Sequence, residues 1–208
     1  MRDLQIRGAG SVLSARQSGH IQNVGYDTYI RILEQAVRDE QGLPPQPVQK
    51  ECKIDLQISA YIPEEYISDN ENRIEMYKRI ADITCKEDYD EVTEEIRDRF
   101  GPLPPSVKLL CSVSSARSNA SKLGIYEVRR QGGAVLLYGD AYNEQMVRKA
   151  VAALPGRVYY SARGKSYLAI DLKNGEEPLE PVFAVLDALR EARSAETQKT
   201  ETARGKES

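Results

Sequence analysis

Residues 125–138 read IYEVRRQGGAVLLY. Two runs rich in strand-favouring residues, 125–130 and 134–138, flank Gln131-Gly132-Gly133. Glycine adopts the backbone angles that tight turns need, and strand-forming runs on both sides of such a turn are typical of a β-hairpin. We therefore predict two antiparallel strands in this stretch.

A second hairpin is predicted further along the chain, where residues 157–161 and 166–172 flank Arg163-Gly164-Lys165. A helix with apolar residues from Met146 to Leu154 separates the two hairpins, and a closing helix carries the apolar residues of 179–189. Strands that pair as hairpins, with helices between them, indicate an α+β fold with an antiparallel sheet.

The sequence before the first hairpin predicts one strand and three helices. Residues 52–60 alternate apolar and polar side chains, as a half-buried strand does. Asp69 is expected to cap the first helix, Gly101 to follow the second, and Pro104-Pro105 to open the third. The compact domain is thus expected to hold an antiparallel sheet and about five helices.

Four segments are predicted along the chain. Residues 1–42 read as a helical hairpin around a glycine-rich loop, and residues 43–51 contain three prolines and form a stiff connector. Residues 52–192 form the compact domain. Residues 193–208 are poor in apolar side chains, which predicts a disordered tail.

Composition excludes several classes of function. The net charge is −3, so no global basic field attracts nucleic acid, and any DNA contact must be local. Three dispersed cysteines, Cys52, Cys85 and Cys111, suit free thiols in a reducing cytoplasm. With His20 as the single histidine and no Cys-x-x-Cys pair, no zinc site is expected, and no apolar run is long enough to span a membrane.

Tests for catalytic motifs give no candidate catalytic residue. Gly164-Lys165-Ser166 resembles the end of a phosphate-binding loop, but Tyr159 stands where the first glycine is required, so a hairpin turn is favoured. Cys111 falls among apolar helix positions and is interpreted as a core thiol. The acidic run within 87–95 is interpreted as the solvated face of a helix.

Two patterns are less easily explained by structure alone. Charged and apolar residues alternate in residues 2–7 of the stretch 2–10 (RDLQIRGAG) and lead directly into Gly8 and Gly10; the alternative for this stretch is a salt-bridged turn between helices. The hairpins are also dense in side chains that can anchor a protein partner or stack on nucleic acid: Tyr126, Arg129, Arg130, Tyr138, Tyr159, Tyr160, Arg163 and Tyr167. The alternative for the hairpins is ordinary strand composition, because tyrosine favours strands.

Residues 2–10, Gln17-Ser18-Gly19 and Gly25-Tyr26-Asp27-x-Tyr29 resemble the TRG motif. This motif is shared by the bacterial transcription-repair coupling factors (the Mfd family) and the RecG-type branched-DNA helicases. The resemblance implies that these residues couple the nucleotide state of a motor to its grip on duplex DNA, with Arg7 and Gln17 as the important side chains. The positions it assigns to this coupling element are Arg2, Arg7, Gly8, Gly10, Gln17, Ser18 and Gly19. Ser14 departs from the pattern, which usually has glycine there.

Three further stretches resemble the C-terminal domain of the coupling factors, which the RecG-type helicases lack. They are residues 54–67, residues 73–81 (RIEMYKRIA) and residues 98–104 (DRFGPLP). The resemblance covers about residues 2–125 with specific motifs, and only pattern and length support it from 126 to 192.

The resemblance implies a parent protein that is an ATP-driven double-stranded DNA translocase of the cytoplasm. The expected partners of the parent are double-stranded DNA, RNA polymerase and the UvrA repair protein, and ATP and Mg²⁺ are its expected cofactors. Residues 52–192 are expected to act as a regulatory domain that docks on the UvrB-like domain of the same protein. This chain has no ATP-binding motif, so we expect a fragment that holds no cofactor and does not hydrolyse ATP alone. The alternatives are a stand-alone protein-interaction module and the C-terminal end of a RecG-type helicase.

Overall fold

A computed structural model describes the backbone of residues 52–204 and the side chains of residues 52–195. In chain order, the described elements are β1 (Lys53–Asp55), α1 (Asn70–Ala81), α2 (Lys86–Phe100), α3 (Pro105–Lys122), β2 (Ile125–Gln131), β3 (Ala134–Gly139), α4 (Glu144–Ala153), β4 (Val158–Ser161), β5 (Tyr167–Asp171) and α5 (Leu179–Arg204). The predicted α+β fold is confirmed, with five helices and one five-stranded sheet in this part of the chain. The helical hairpin predicted for 1–42 and the connector 43–51 lie outside the described residues.

The sheet has the strand order β1-β2-β3-β5-β4. Both predicted hairpins are present, β2 with β3 and β4 with β5, and the antiparallel pair β3–β5 joins them. The sheet differs from the expected all-antiparallel arrangement at one edge, where β1 lies parallel to β2. The physical reason is the connection: three helices lie between these strands, and parallel neighbours need such a long crossover.

Strand β1 is shorter than the strand predicted for residues 52–60, because it ends at Asp55. Gln57 has a φ of 55°, which lies in the left-handed region and cannot continue a β-strand. The alternation of apolar and polar residues did predict correctly which side chains are buried, since Cys52, Ile54 and Leu56 are all buried.

Local signals set the helix ends close to their predicted positions. The side chain of Asp69 accepts a hydrogen bond from the backbone N–H of Asn72 and so caps α1. Helix α2 ends before Gly101, whose φ of 88° suits glycine, and α3 begins with Pro105.

Two hydrophobic cores share α3. The larger core lies between one face of the sheet and the helices, and contains Val128, Leu137 and Ile170 together with Ala116 and Leu186. The smaller core lies among α1, α2 and the first half of α3, and its fully buried side chains include Met76, Ile80, Ile96 and Leu110. Helix α3 therefore holds the three-helix layer and the sheet together.

The last helix extends further than the sequence suggested. A disordered tail was expected from residue 193, whereas the backbone of α5 is helical to Arg204. Residues 193–204 (RSAETQKTETAR) are rich in good helix formers, and adding turns to an existing helix avoids the nucleation cost. No helix in residues 52–204 combines the length and apolar character that crossing a membrane requires.

Candidate interaction face

The residues that the sequence section considered for catalysis or phosphate binding have structural roles in the described domain. Cys111 is fully buried, and burial raises the pKa of its thiol to about 12, so it remains a neutral core side chain, as predicted. Gly164 lies in the turn between β4 and β5 with a φ of 77°, as a hairpin turn requires. Within residues 52–195, no group of three or more His, Cys, Asp or Glu side chains could hold a metal ion.

Within residues 52–204, helices cover one face of the sheet and leave the other face open. Cross-strand partners point to the same side of a sheet, and Val128, Leu137 and Leu168 form one buried row against the helices. The next residues along these strands, Arg129, Leu136 and Ala169, are also aligned and point away from the helices. We call this side the open face, and it comprises Lys53, Asp55, Tyr126, Glu127, Arg129, Leu136, Tyr138, Tyr159, Tyr167 and Ala169. Neither core includes any of these side chains.

Three tyrosines and one arginine meet on the open face, and we call Tyr126, Tyr138, Tyr167 and Arg129 the tyrosine cluster. The ring centroids of Tyr138 and Tyr167 are 5.3 Å apart, and those of Tyr126 and Tyr138 are 6.5 Å apart. The guanidinium carbon of Arg129 lies 5.5 Å from the centroid of the Tyr138 ring. Its Nη2 also donates a hydrogen bond of 3.2 Å to the Tyr138 hydroxyl.

The tyrosine cluster presents aromatic surface that is already ordered. Each aromatic pair stabilises its geometry by about 0.5–1.5 kcal/mol, so a partner would not need to immobilise these rings. Burial first, then the nearby carboxylates of Asp140 and Glu127, raise the pKa of Tyr126. Its hydroxyl is therefore protonated at neutral pH and can donate a hydrogen bond.

The eight tyrosines and arginines singled out in the sequence divide between several surfaces. Four form the tyrosine cluster, and Tyr159 lies on the same face at the sheet edge with 53% of its surface exposed. Alternation along the strands sends Arg130 and Tyr160 to the helix side, where the Tyr160 ring is 5.9 Å from that of Tyr142. Arg163 lies in the turn between β4 and β5.

A second surface is formed by α1 and α2 and is strongly charged. Arg99 bridges Glu75 and Glu95 at 3.0 Å each, and Arg79 reaches Glu95 at 3.0 Å. The hydrogen bond from Arg99 holds the pKa of Glu75 below its usual value. These pairs are partly exposed, so each contributes little to stability, although together they orient the two helices.

The exposed side of α2 carries a row of four carboxylates, Glu87, Glu91, Glu94 and Asp98, which we call the acidic stripe. Their spacings of four, three and four residues place them on one side of the helix, opposite the buried Val92 and Ile96. The sequence interpretation of this run as an exposed helix face is therefore confirmed. The sequence interpretation missed that the four carboxylates form one row along the helix, although their spacing of three and four residues could have indicated it.

A shallow depression between the end of α3 and α5 is rich in cations, but hydrogen bonds already engage them. The Nζ of Lys122 donates to the Thr84 carbonyl at 2.5 Å, and Arg193 donates to the Lys122 carbonyl. Arg190 pairs with Asp187 at 2.8 Å. The Arg193 contact caps the last carbonyl of α3, the Lys122 contact joins that helix end to the loop before α2, and the Arg190 pair lies within α5.

The residues assigned to the TRG element lie outside the described residues. They are Arg2, Arg7, Gly8, Gly10, Gln17, Ser18 and Gly19. Their role in coupling stays a prediction.

Comparisons with known proteins agree with this domain structure. Residues 56–149 match the model of the TRCF domain family. A transcription-repair-coupling factor of Bacillus subtilis is 39% identical over 137 residues, which cover 66% of this chain and 12% of that protein. One from Staphylococcus aureus is 32% identical over 163 residues, covering 78% of this chain and 13% of that protein. The chain thus spans about an eighth of the length of these relatives.

A solved structure is also similar. The crystal structure of the C-terminal domain of a transcription-repair coupling factor superposes with a TM-score of 0.65 at 27% identity. The match covers 70% of this chain and 95% of that domain, so nearly the whole domain is present here. Through this C-terminal domain, the chain belongs to the transcription-repair coupling factor family.

Proposed function

We propose that this chain is the C-terminal part of an ATP-dependent double-stranded DNA translocase that displaces stalled RNA polymerase and recruits nucleotide excision repair. The observation that carries the proposal is the fold match, which covers 95% of a solved coupling-factor C-terminal domain. The much greater length of the relatives supports a parent whose motor lies outside this chain, where ATP and Mg²⁺ bind. Such a protein works in the cytoplasm on DNA.

Within this function, the two parts of the chain have different roles. Residues 1–42 supply the TRG element, in which Arg7 and Gln17 relay the state of the motor to the duplex. Residues 52–192 act as an autoinhibitory lid that docks on the UvrB-like domain of the same protein and covers its UvrA-binding surface. Engagement of DNA shifts the population from the docked to the released state.

The acidic stripe suits the docking surface of the lid. Like charges spaced three or four residues apart destabilise a helix by about 0.2–0.5 kcal/mol per pair, so the free domain carries a small strain in α2. A basic surface on the partner would relieve this repulsion and orient the lid during docking. The ion pairs of Arg99 and Arg79 link α2, which carries the stripe, to the neighbouring helix α1.

Binding of the 208-residue chain to a separately produced UvrB-like domain of its parent tests this proposal. We expect measurable binding that weakens as salt is raised, and a loss of about tenfold or more for the double variant Glu91→Lys/Glu94→Lys. The matched control is Glu177→Lys/Glu191→Lys, which reverses two exposed carboxylates away from α2 and should change the affinity less than about twofold.

Two outcomes would reject the docking role. One is a folded wild-type chain that does not bind the UvrB-like domain, which would favour a stand-alone interaction module. The other is an equal loss of affinity in the stripe variant and in the control, which would mean that net charge matters and the stripe does not.

A further inference from the structure

The residues of the open face form two rows that run across the sheet. Strand pairing places one residue from each strand in each row, and the strand order is β1, β2, β3, β5, β4. In that order, the first row is Lys53, Glu127, Tyr138 and Tyr167, and it continues to Ser161 on β4. The second row is Asp55, Arg129, Leu136, Ala169 and Tyr159. The two rows are two residues apart along each strand, which is about 7 Å.

The two rows are complementary in charge. On β1, the first row has Lys53 and the second has Asp55, whereas on β2 the first row has Glu127 and the second has Arg129. Each cation of one row therefore has a carboxylate on the same strand in the other row. The backbone under the β1 pair is anchored, because the Cys52 N–H donates a hydrogen bond of 2.8 Å to a hydroxyl on α3.

The two rows are also complementary in size. On β3 the large ring of Tyr138 is followed in the second row by Leu136, and on β5 Tyr167 is followed by the much smaller Ala169. On β4 the order is reversed, with a serine in the first row and Tyr159 in the second. A bulky side chain in one row thus stands beside a smaller one in the other row on each of these three strands.

This pattern suits a two-fold axis that lies between the rows and crosses the strands. Such an axis places a second sheet over the first and exchanges the rows, so each residue meets the other residue of its own strand. Lys53 then faces Asp55 of the second copy, and Glu127 faces Arg129 of the second copy. The ring of Tyr138 meets a leucine and that of Tyr167 meets an alanine. A two-fold interface requires this kind of self-complementary surface.

A two-fold axis along the strands would not give the same match. It would lay β2 over β5, so that Glu127 faces Tyr167 of the second copy and Arg129 faces Ala169 of the second copy. Both charges would then be covered without an opposite charge across the interface, which is costly. The charges of the open face therefore select the axis that crosses the strands.

The size of the open face fits a weak, reversible dimer. Five strands of about five residues cover roughly 24 Å by 17 Å. With the relief of the side chains, two such faces bury roughly 1,000 Å² in total, at the lower end of specific interfaces. Aligned sheets cross at about 30°, so the match is closest near β3, the middle strand.

We propose that the open face binds a second copy of this chain and forms a two-fold dimer of face-to-face sheets. The tyrosine cluster supplies the centre of the contact, and its rings are already ordered by their mutual packing. The charge pairs of β1 and β2 fix the orientation. The dimer uses no residue of α2, so its test is separate from that of the docking proposal.

Sedimentation velocity of the 208-residue chain tests the dimer at concentrations up to about 500 µM, which suits the weak affinity expected at this size. We expect the mean mass to rise from monomer towards dimer. Ala169→Arg fills the space that Tyr167 of the second copy needs and should weaken association at least about tenfold. The matched control is Ala152→Arg at an exposed position of α4, on the covered side of the sheet, which should change it less than about twofold.

A pair of charge variants tests the two-fold arrangement itself. Glu127→Lys and Arg129→Glu should each weaken self-association about tenfold, because like charges then meet across the axis. An equimolar mixture of the two variants should associate about as well as wild type, since one chain brings two cations and the other two carboxylates. Mixing would not repair a variant that has merely lost its own structure.

Three results would overturn the dimer. The first is a wild-type chain that remains monomeric throughout this range, and the second is an Ala169→Arg variant that associates like wild type, which would place the contact on another surface. The third is a mixture of the charge variants that fails to associate, which would reject the pairing across the axis. Circular dichroism verifies the fold of each variant, and Ala169→Arg decides the question if a charge variant unfolds.

Discussion

At the residue scale, Arg157 fastens the second hairpin to the loop that leads into α5. Its Nε and Nη2 donate hydrogen bonds to the Asp171 carbonyl at 3.0 and 2.8 Å. The same guanidinium pairs with Glu176, whose carboxylate also accepts the backbone N–H of Lys173 at 2.7 Å. Both side chains of the pair are less than one-fifth exposed. On folding, the Glu176 carboxylate therefore replaces hydrogen bonds to water with hydrogen bonds to protein donors. This pair is less exposed than the bridges of α1 and α2, so solvent screens it less.

We predict that Glu176→Gln destabilises the chain by about 1 kcal/mol at pH 7. The Lys173 N–H and then Arg157 lower the pKa of Glu176 below its usual 4.5. Between the lowered pKa and 4.5 the folded chain binds fewer protons than the unfolded chain, so this contribution is complete above 4.5 and is lost as pH falls through the folded pKa.

Urea unfolding of both proteins at pH 7 and pH 3 measures this contribution. The difference between wild type and Glu176→Gln should shrink at pH 3, while Glu177→Gln, at the exposed neighbouring position, should match wild type at both values. A penalty that stays constant with pH would show that charge is not its origin.

The sequence predicted part of the open face, namely which residue types it carries. Composition identified the tyrosines and arginines of the hairpins, because aromatic residues in strands are visible in the sequence. Their division between two faces depends on register, and the register shifts at Tyr126 between Ile125 and Glu127. A single-residue shift reverses the direction of a side chain, so the membership of the cluster could not be read from spacing.

At the element scale, α3 stands out because its two halves belong to different cores. Val107, Leu110 and Cys111 face the three-helix layer, whereas Val113, Ala116 and Ala120 face the sheet. No other helix in the described part of the chain contributes buried residues to both cores. Loss of packing at α3 therefore affects the junction of the two layers.

We predict that Leu110→Ala destabilises the chain by about 2–5 kcal/mol, because it leaves a cavity at a fully buried position. Val151→Ala serves as the control, since Val151 on α4 is 37% exposed, and it should change the free energy of unfolding by no more than about 0.5 kcal/mol. Denaturant titration followed by circular dichroism compares the two. Equal effects would mean that the helical core is not packed as the structure describes.

Helices were predicted more accurately than the first strand, for a physical reason. Helix ends depend on neighbouring residues such as Asp69, Gly101 and Pro105, whose effects are local. The pairing of β1 with β2 joins residues more than 70 positions apart, and nothing in residues 53–55 reveals the partner or its direction. The turn at Gln57 was also hidden, because glutamine rarely adopts a positive φ.

At the scale of the whole molecule, we predict that the isolated chain releases no phosphate from ATP, with or without duplex DNA. The closest approach to a phosphate-binding loop, Gly164-Lys165-Ser166, lies between two strands of a hairpin and not before a helix, where such loops bind nucleotide. A phosphate-release assay with the chain and duplex DNA measures this directly. DNA-stimulated turnover that persists in a Lys165→Ala variant would reveal an unrecognised nucleotide site, and turnover abolished by it would implicate the hairpin turn.

The family and fold were predictable because motifs such as residues 73–81 and 98–104 form the helical layer, where sequence and packing are closely linked. The segment 126–192 carried no specific motif, although its hairpins were correct from turn chemistry alone. The assignments in residues 1–42 rest on the motif, since the described residues begin at Cys52.

The hydrogen bond between Cys52 and Ser121 has a mechanical consequence. The Cys52 backbone N–H donates to the Ser121 hydroxyl on α3 at 2.8 Å, so a pull on the backbone at Cys52 would load α3 as well as the three-residue edge strand. In the translocase proposed above, a pull from the motor on this point would therefore act on a helix that is packed into both cores.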